Sequence, residues 1–266
     1  AAITPAYGPA NIIENRLVAV PEVGPRDVLV RVYAAPVTAG DCRLRSADFP
    51  GISAVPGRLM LGVFAPRASI QGTMFSGRVV SVGAKVEGYQ VGDDVFGSAD
   101  AGAYAEYLSV KDNGPLAKVP QGVTYDEAAA APYGAVTAMH FLRDLGKISP
   151  GDKVLIVGAS GGVGRYAVQL AKHMGAEVTG VASQKNTAMV RELGADHVID
   201  YSAQDFTENG QKYDVILDIA GGGPQENELR HAFAAAGVDD RVAFLGVLGA
   251  AALRDQLLAI DGTLVF

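Results

Sequence analysis

The run from Lys153 through Val157 into Gly158-Ala159-Ser160-Gly161-Gly162-Val163-Gly164 most constrains what this chain can fold into. An apolar strand enters a glycine-rich turn, and an amphipathic stretch from Val163 to Met174 follows without a break. Such a turn lets backbone approach a bound group closely, and the helix behind it offers amide hydrogens and a positive dipole end. Against the G-x-G-x-x-G spacing, Ala159 stands at the first glycine, while Gly161 and Gly164 stand at the second and third. Between a strand and a helix, this pattern is the fingerprint of a dinucleotide pyrophosphate site.

The same rhythm continues downstream. Strands are expected at Glu177 to Val181, His197 to Ile199, Tyr213 to Asp218 and Arg241 to Leu245, with helices at Asn186 to Leu193 and around Glu226 to Ala235. Parallel neighbours need a crossover, normally a helix, so the alternation predicts an α/β, doubly wound parallel sheet of the Rossmann kind. Upstream, from Leu17 to about Pro120, short β-branched runs such as Asp27 to Val32 and Gly77 to Val82 are cut by turn pairs such as Gly92-Asp93 and Asn113-Gly114. That half is expected to be a β-rich domain. A helical stretch from Asp126 to Leu145 follows it, so the expected division is 1–122 and 123–266.

The second strand of a dinucleotide fold usually ends in Asp or Glu when the ribose 2'-hydroxyl is free, and no carboxylate occurs from Val178 to Lys185. Ser183 and Lys185 supply a hydroxyl donor and a cation instead, which suits a 2'-phosphate. NADPH is therefore the expected cofactor. A net charge of -7 argues against nucleic acid as a partner, since phosphate tracking needs clustered Lys and Arg. No apolar run approaches the roughly 18 residues of a membrane span, so no membrane partner is expected. The start carries no secretory pattern and Cys42 stands alone, which together lead to a cytoplasmic expectation.

Gly158 to Gly164, Ala167-Val168-Gln169-Leu170-Ala171-Lys172, Leu193-Gly194-Ala195-Asp196 and Val198-Ile199-Asp200-Tyr201 resemble the medium-chain dehydrogenase/reductase superfamily, in its zinc-free quinone oxidoreductase branch. Further landmarks lie upstream at Ala6 to Pro9, Val37 to Asp41 with Arg45, Val91 to Gly97, and Ala128 to Ala131 with Gly134, Thr137 and Ala138. The resemblance implies a GroES-like domain for a small-molecule carbonyl substrate, a Rossmann domain for NADPH, a cleft between them, and a homodimer. Matched by position, it implies Ser160, Gly161, Gly162 and Val163 at the pyrophosphate, and Ser183, Lys185 and Tyr201 at the 2'-phosphate. It implies Thr137 on the nicotinamide side, with Ala220, Phe244, Leu245 and Gly246 bordering the ribose and nicotinamide. Relatives often carry asparagine in place of Thr38 and continue beyond the position of Phe266, returning to the first domain, so that return is expected to be absent from this sequence.

Zinc-dependent members use a cysteine, a histidine-glutamate pair and a further ligand, whereas here the stretch Gln71 to Phe75 has neither His nor Glu. No metal site is expected. Cys42 is read as a small buried side chain, and His140, His173, His197 and His231 as structural or solvated. Hydride transfer needs little from side chains beyond orientation. Thr38 and Asp41 are the candidates for lining the substrate face and organising proton delivery, with Asp41 alternatively bracing Arg43 or Arg45. The expected activity is zinc-independent, NADPH-dependent reduction of a quinone or another α,β-unsaturated carbonyl. The alternative is a non-catalytic NADPH-binding sensor or scaffold of the same fold.

Overall fold

The computed structural model describes residues 1–48, 54–206 and 209–219. The helix around Glu226 to Ala235 and the strand at Arg241 to Leu245 lie outside them. The chain forms two compact units that divide after Pro132.

In the first unit, β1 (Ala2–Ile3) pairs with β2 (Glu14–Asn15), and a five-stranded antiparallel sheet carries the core. Its strands are β3 (Asp27–Ala34), β4 (Met74–Val82), β5 (Asp94–Ser98), β6 (Tyr107–Lys111) and β7 (Leu116–Lys118), in the order β6-β3-β4-β5-β7. Val28, Val30, Phe75, Val79 and Val95 are buried together in that core. Helices α1 (Ala39–Ser46) and α2 (Ala54–Leu61) interrupt the strands between β3 and β4. The β-rich expectation for this half holds.

The division falls inside α3 (Tyr125–Met139), which passes directly into a π-helical turn at His140–Leu145. Thr124 starts α3 with a capping box. Its hydroxyl accepts from Glu127 N, while Glu127 Oε2 accepts from Thr124 N at 2.9 Å and Thr124 Oγ1 at 2.7 Å.

The second unit holds β8 (Lys153–Val157), α4 (Gly164–His173), β9 (Glu177–Ala182), α5 (Thr187–Glu192), β10 (His197–Asp200) and β11 (Val215–Asp218). All the strand pairs are parallel, in the order β10-β9-β8-β11. Numbered within this unit, the order is 3-2-1-4, that of a Rossmann sheet, and it reverses at β8. Side chains alternate along β8 to fill both faces: Val154 and Ile156 join a cluster with Val168 and Val178, while Leu155 meets Val181 and Ile199. Burying a side chain such as Ile156 contributes about 1.5 to 3 kcal/mol. That packing fixes the carboxyl ends of β8 and β9, where a ligand sits in an open α/β sheet. Among the described residues, no helix is long and apolar enough to cross a membrane.

Candidate functional site

The turn after β8 is made by Gly158, whose φ of +77° lies in the left-handed region, and its carbonyl accepts from Gly161 N at 2.9 Å. The tight-turn role thus belongs one residue before the position that motif spacing assigned. Ala159 is fully buried instead, and its N–H donates to Val181 O at 3.0 Å, tying the loop to β9. The third glycine does what the pattern requires. A Cβ on Gly164 would lie 2.2 Å from Gly158 O, so only glycine lets α4 begin this close to β8.

Gly161 and Gly162 are exposed, and nothing lies within 4 Å of where a Cβ on Gly162 would stand. Val163, at the helix N-cap, makes no side-chain cap, and the first turn of α4 carries no acidic residue. The helix start is therefore open to an anion, as a pyrophosphate site demands. Arg165 folds back to donate from Nε to Ser160 O at 3.0 Å, which adds a guanidinium beside the loop. Helix α3 approaches from another direction, since a Cβ on Gly134 would lie 2.6 Å from Gly162 O. Thr137, half-buried, follows one helical turn later on α3.

At the end of β9, Ala182 is only 1% exposed, so the position where an acidic partner was sought is part of the core. A carboxylate there would be buried, and Ser183 is the first residue that reaches outward. Lys185 is exposed and has neither a hydrogen bond nor an ion pair among the described residues. Tyr201 follows β10 and is 61% exposed. The sheet also brings in a carboxylate, because Asp200 pairs in register with Ala182. Its Oδ1 accepts from Ser202 Oγ at 2.6 Å and Ser202 N at 3.0 Å. These contacts, with help from the Gln184 N–H and against a smaller effect of burial, hold the carboxyl below its ordinary range.

Two residues missed by sequence reasoning belong to this surface, Arg165 and Asn186. Asn186 Nδ2 donates to Ser160 Oγ at 3.1 Å and to Ser183 Oγ at 3.2 Å, joining the phosphate loop to the end of β9. Its only sequence signal was an asparagine at an expected helix start. Ala220, Phe244, Leu245 and Gly246 lie outside the described residues.

In the first unit, Thr38 caps α1. Its hydroxyl accepts from Asp41 N at 3.3 Å and donates to Asp41 Oδ2 at 2.5 Å, and Thr38 N donates to the same oxygen at 2.8 Å. Asp41 therefore braces its own helix rather than Arg43 or Arg45, and Arg45 Nε instead donates to Gly8 O. Asp41 is 5% exposed, and its Oδ1 finds no hydrogen-bond partner among the described residues.

A cavity of about 480 Å³ is bordered by Asp41, Cys42, Arg45, Gln71 and Tyr104, among others, but not by Thr38. Burial and the Asp41 carboxylate raise the phenol of Tyr104. Cys42 is exposed, which corrects its reading as a buried side chain: in α1 the inward position falls on Asp41 and the next residue turns away. His140 bonds Asp144 at 2.9 Å, His197 bonds Glu177 at 3.3 Å, His173 is exposed, and His231 lies outside the described residues. Among the described residues, no three His, Cys, Asp or Glu side chains converge to hold a metal ion.

Residues 24–121 match the family described as alcohol dehydrogenase GroES-like domain, and residues 162–263 match the one described as zinc-binding dehydrogenase. An alcohol dehydrogenase superfamily protein from Novosphingobium aromaticivorans is 30% identical with a TM-score of 0.74, the match covering 88% of this chain and 68% of that one. This chain belongs to the medium-chain dehydrogenase/reductase superfamily. A quinone oxidoreductase from Coxiella burnetii shares 26% identity at a TM-score of 0.75, over 97% of this chain and 84% of its own. The NADPH-dependent alkenal/one oxidoreductase of Arabidopsis thaliana is 31% identical over 81% of this chain and 55% of its own length. The chain spans about half the length, or less, of the curated relatives it matches.

Proposed function

We propose that this chain belongs to a zinc-independent reductase that uses NADPH to reduce a quinone or another α,β-unsaturated carbonyl. The observation that carries the cofactor reading is the end of β9, where Ser183 is joined to the phosphate loop through Asn186, Lys185 is exposed, and the carboxylate in register with Ala182, Asp200, is turned to Ser202 and Gln184. Relatives named for quinone and alkenal/one reduction support the substrate class.

When bound, NADPH supplies the hydride. Gly161, Gly162 and Val163 would present their backbone to its pyrophosphate, with Ser160 alongside. Ser183, Lys185 and Tyr201 would hold the 2'-phosphate, and Thr137 would border the nicotinamide end. Ala220, Phe244, Leu245 and Gly246 keep the assignment made by resemblance. Thr38 and Asp41 are assigned to the substrate side. The Thr38 hydroxyl proton is already donated to Asp41 Oδ2, so Oδ1 is the oxygen left to organise proton delivery. The resemblance also leads us to assign a homodimer, which light scattering on the purified chain tests.

The functional test pairs titrations with turnover. NADPH should bind more tightly than NADH. Lys185→Ala should weaken NADPH by roughly one to two decades while sparing NADH, the worth of a charge-assisted contact. NADPH should be consumed with quinones or enones, and simple alcohols should not reduce NADP+. Equal affinity for the two cofactors, or equal losses in the variant, refutes the 2'-phosphate assignment. A second reading, a non-catalytic NADPH-binding protein, draws on the engagement of the Thr38 hydroxyl in its own helix cap; binding without turnover across the panel would select it.

A further inference from the structure

The geometry points to Asn186 as a positioning residue that sets the preference for a 2'-phosphate, an inference that rests on the NADPH reading above. Asn186 stands at the N-cap of α5, where an asparagine side chain ordinarily accepts from a first-turn N–H, yet it makes no such cap. Its side chain is turned away from its own helix. The single amide nitrogen spends one hydrogen on Ser160 Oγ and the other on Ser183 Oγ, at 3.1 and 3.2 Å. The backbone is held in place as well, since Asn186 N donates to Ser183 O at 2.8 Å.

The consequence follows from the hydroxyl inventory. A serine hydroxyl has one proton to give and two lone pairs to receive with. With the amide occupying a lone pair on each oxygen, neither hydroxyl proton can point at Asn186, and neither has an acceptor in the protein among the described residues. Asn186 thus makes two hydroxyls from separate elements into outward donors, one beside the phosphate loop and one at the end of β9.

A phosphate suits such a pair because its oxygens only accept. A free ribose 2'-hydroxyl can also accept from such donors, but it carries no charge, so it gains less from two outward hydroxyls than a phosphate dianion does. Exposed Lys185, the neighbouring residue, adds charge of the matching sign. Asn186 acts through the serines, so its replacement should alter discrimination rather than chemistry.

Asn186→Asp keeps the shape and reverses the polarity, because a carboxylate accepts the two hydroxyl protons and repels a phosphate. NADPH affinity should fall roughly tenfold or more while NADH holds or gains, and adenosine 2',5'-bisphosphate should lose its advantage over AMP by a similar factor. The KM for NADPH should rise with kcat and the melting temperature nearly unchanged. In a Ser183→Ala background the effect of Asn186→Asp should shrink, since one of its two hydroxyls is gone.

The wild-type titration is read first. If it shows no preference for the 2'-phosphate, the cofactor reading falls and this inference with it. If the preference is present and survives Asn186→Asp, the amide carbonyl rather than the nitrogen faces the serines, and only this inference is overturned. Should Asn186→Asp fail to fold, Asn186→Ala decides, because it frees the hydroxyls without adding charge. It should weaken NADPH several-fold and leave NADH in place, and equal weakening of both overturns the assignment.

Discussion

One methyl group, placed at two positions of the same loop, should separate folding from binding. In Gly164→Ala the new Cβ would lie 2.2 Å from Gly158 O and 2.9 Å from the Ala159 backbone. Real Cβ contacts do not fall below about 3 Å, and the obstacles are backbone rather than the end of a flexible side chain. Helix α4 must then move off the end of β8, disturbing the core cluster to which Val168 and Ile156 both belong. Forced overpacking of this kind costs about 1 to 3 kcal/mol. For a unit of this size that is on the order of 5 to 10 °C in melting temperature.

Gly162→Ala makes the same chemical change where nothing lies within 4 Å. Its φ is not in the left-handed region, so stability should stay within about 0.5 kcal/mol of wild type. The methyl would stand where a pyrophosphate needs the bare backbone, so NADPH and NADH should weaken alike. Denaturant melts and two cofactor titrations on both variants check this. The reasoning fails if Gly164→Ala is as stable as wild type, or if Gly162→Ala weakens only one of the two cofactors.

The Asp112 carboxylate accepts Arg26 Nε and Nη2 at 3.0 and 3.1 Å and Glu87 N at 3.1 Å. The Arg26 bond, opposed by burial and helped by the Glu87 N–H, lowers its pKa. A lowered folded pKa means this stabilisation is complete above the unfolded value of about 4 and is lost as pH falls through the folded one. Asp112→Asn should flatten the acid limb of a denaturation-midpoint curve, and an unchanged limb counts against the pair. Thr38→Ala removes the α1 cap and should cost about 1 kcal/mol. If Thr38 also organises Asp41, kcat should drop with the KM for NADPH unaltered, whereas full turnover would remove both residues from the proton path. Prolonged chelation should leave NADPH-dependent reduction intact, and a loss restored by added zinc would refute zinc independence.

The strand, glycine turn and helix were legible because their signals are local. Apolar periodicity places β8, α4 and β9, and the need for glycine at Gly164 follows from how closely those elements pack. Spacing alone could not say which residue makes the turn, since φ belongs to the folded backbone, and the structure assigns it to Gly158. Cys42 failed for a related reason. In a short helix the buried face is chosen by the cap, and the Thr38-Asp41 box turned Asp41 inward and Cys42 out.

The end of β9 shows the deeper limit. Scanning one strand for an acid finds none, yet strand pairing sets Asp200 level with Ala182. What a cofactor meets there depends on how the neighbours distribute their protons. Ser202 gives two hydrogens to Asp200 Oδ1, and Asn186 gives two to Ser160 and Ser183. The first engages one oxygen of the Asp200 carboxylate, and the second turns two hydroxyl protons outward. Residue identity alone carries neither fact, because serine and asparagine can donate or accept. On the NADPH reading, preference at this site would be a property of the hydrogen-bond arrangement, and a change of one atom, from the amide nitrogen of Asn186 to a carboxylate oxygen, should weaken it.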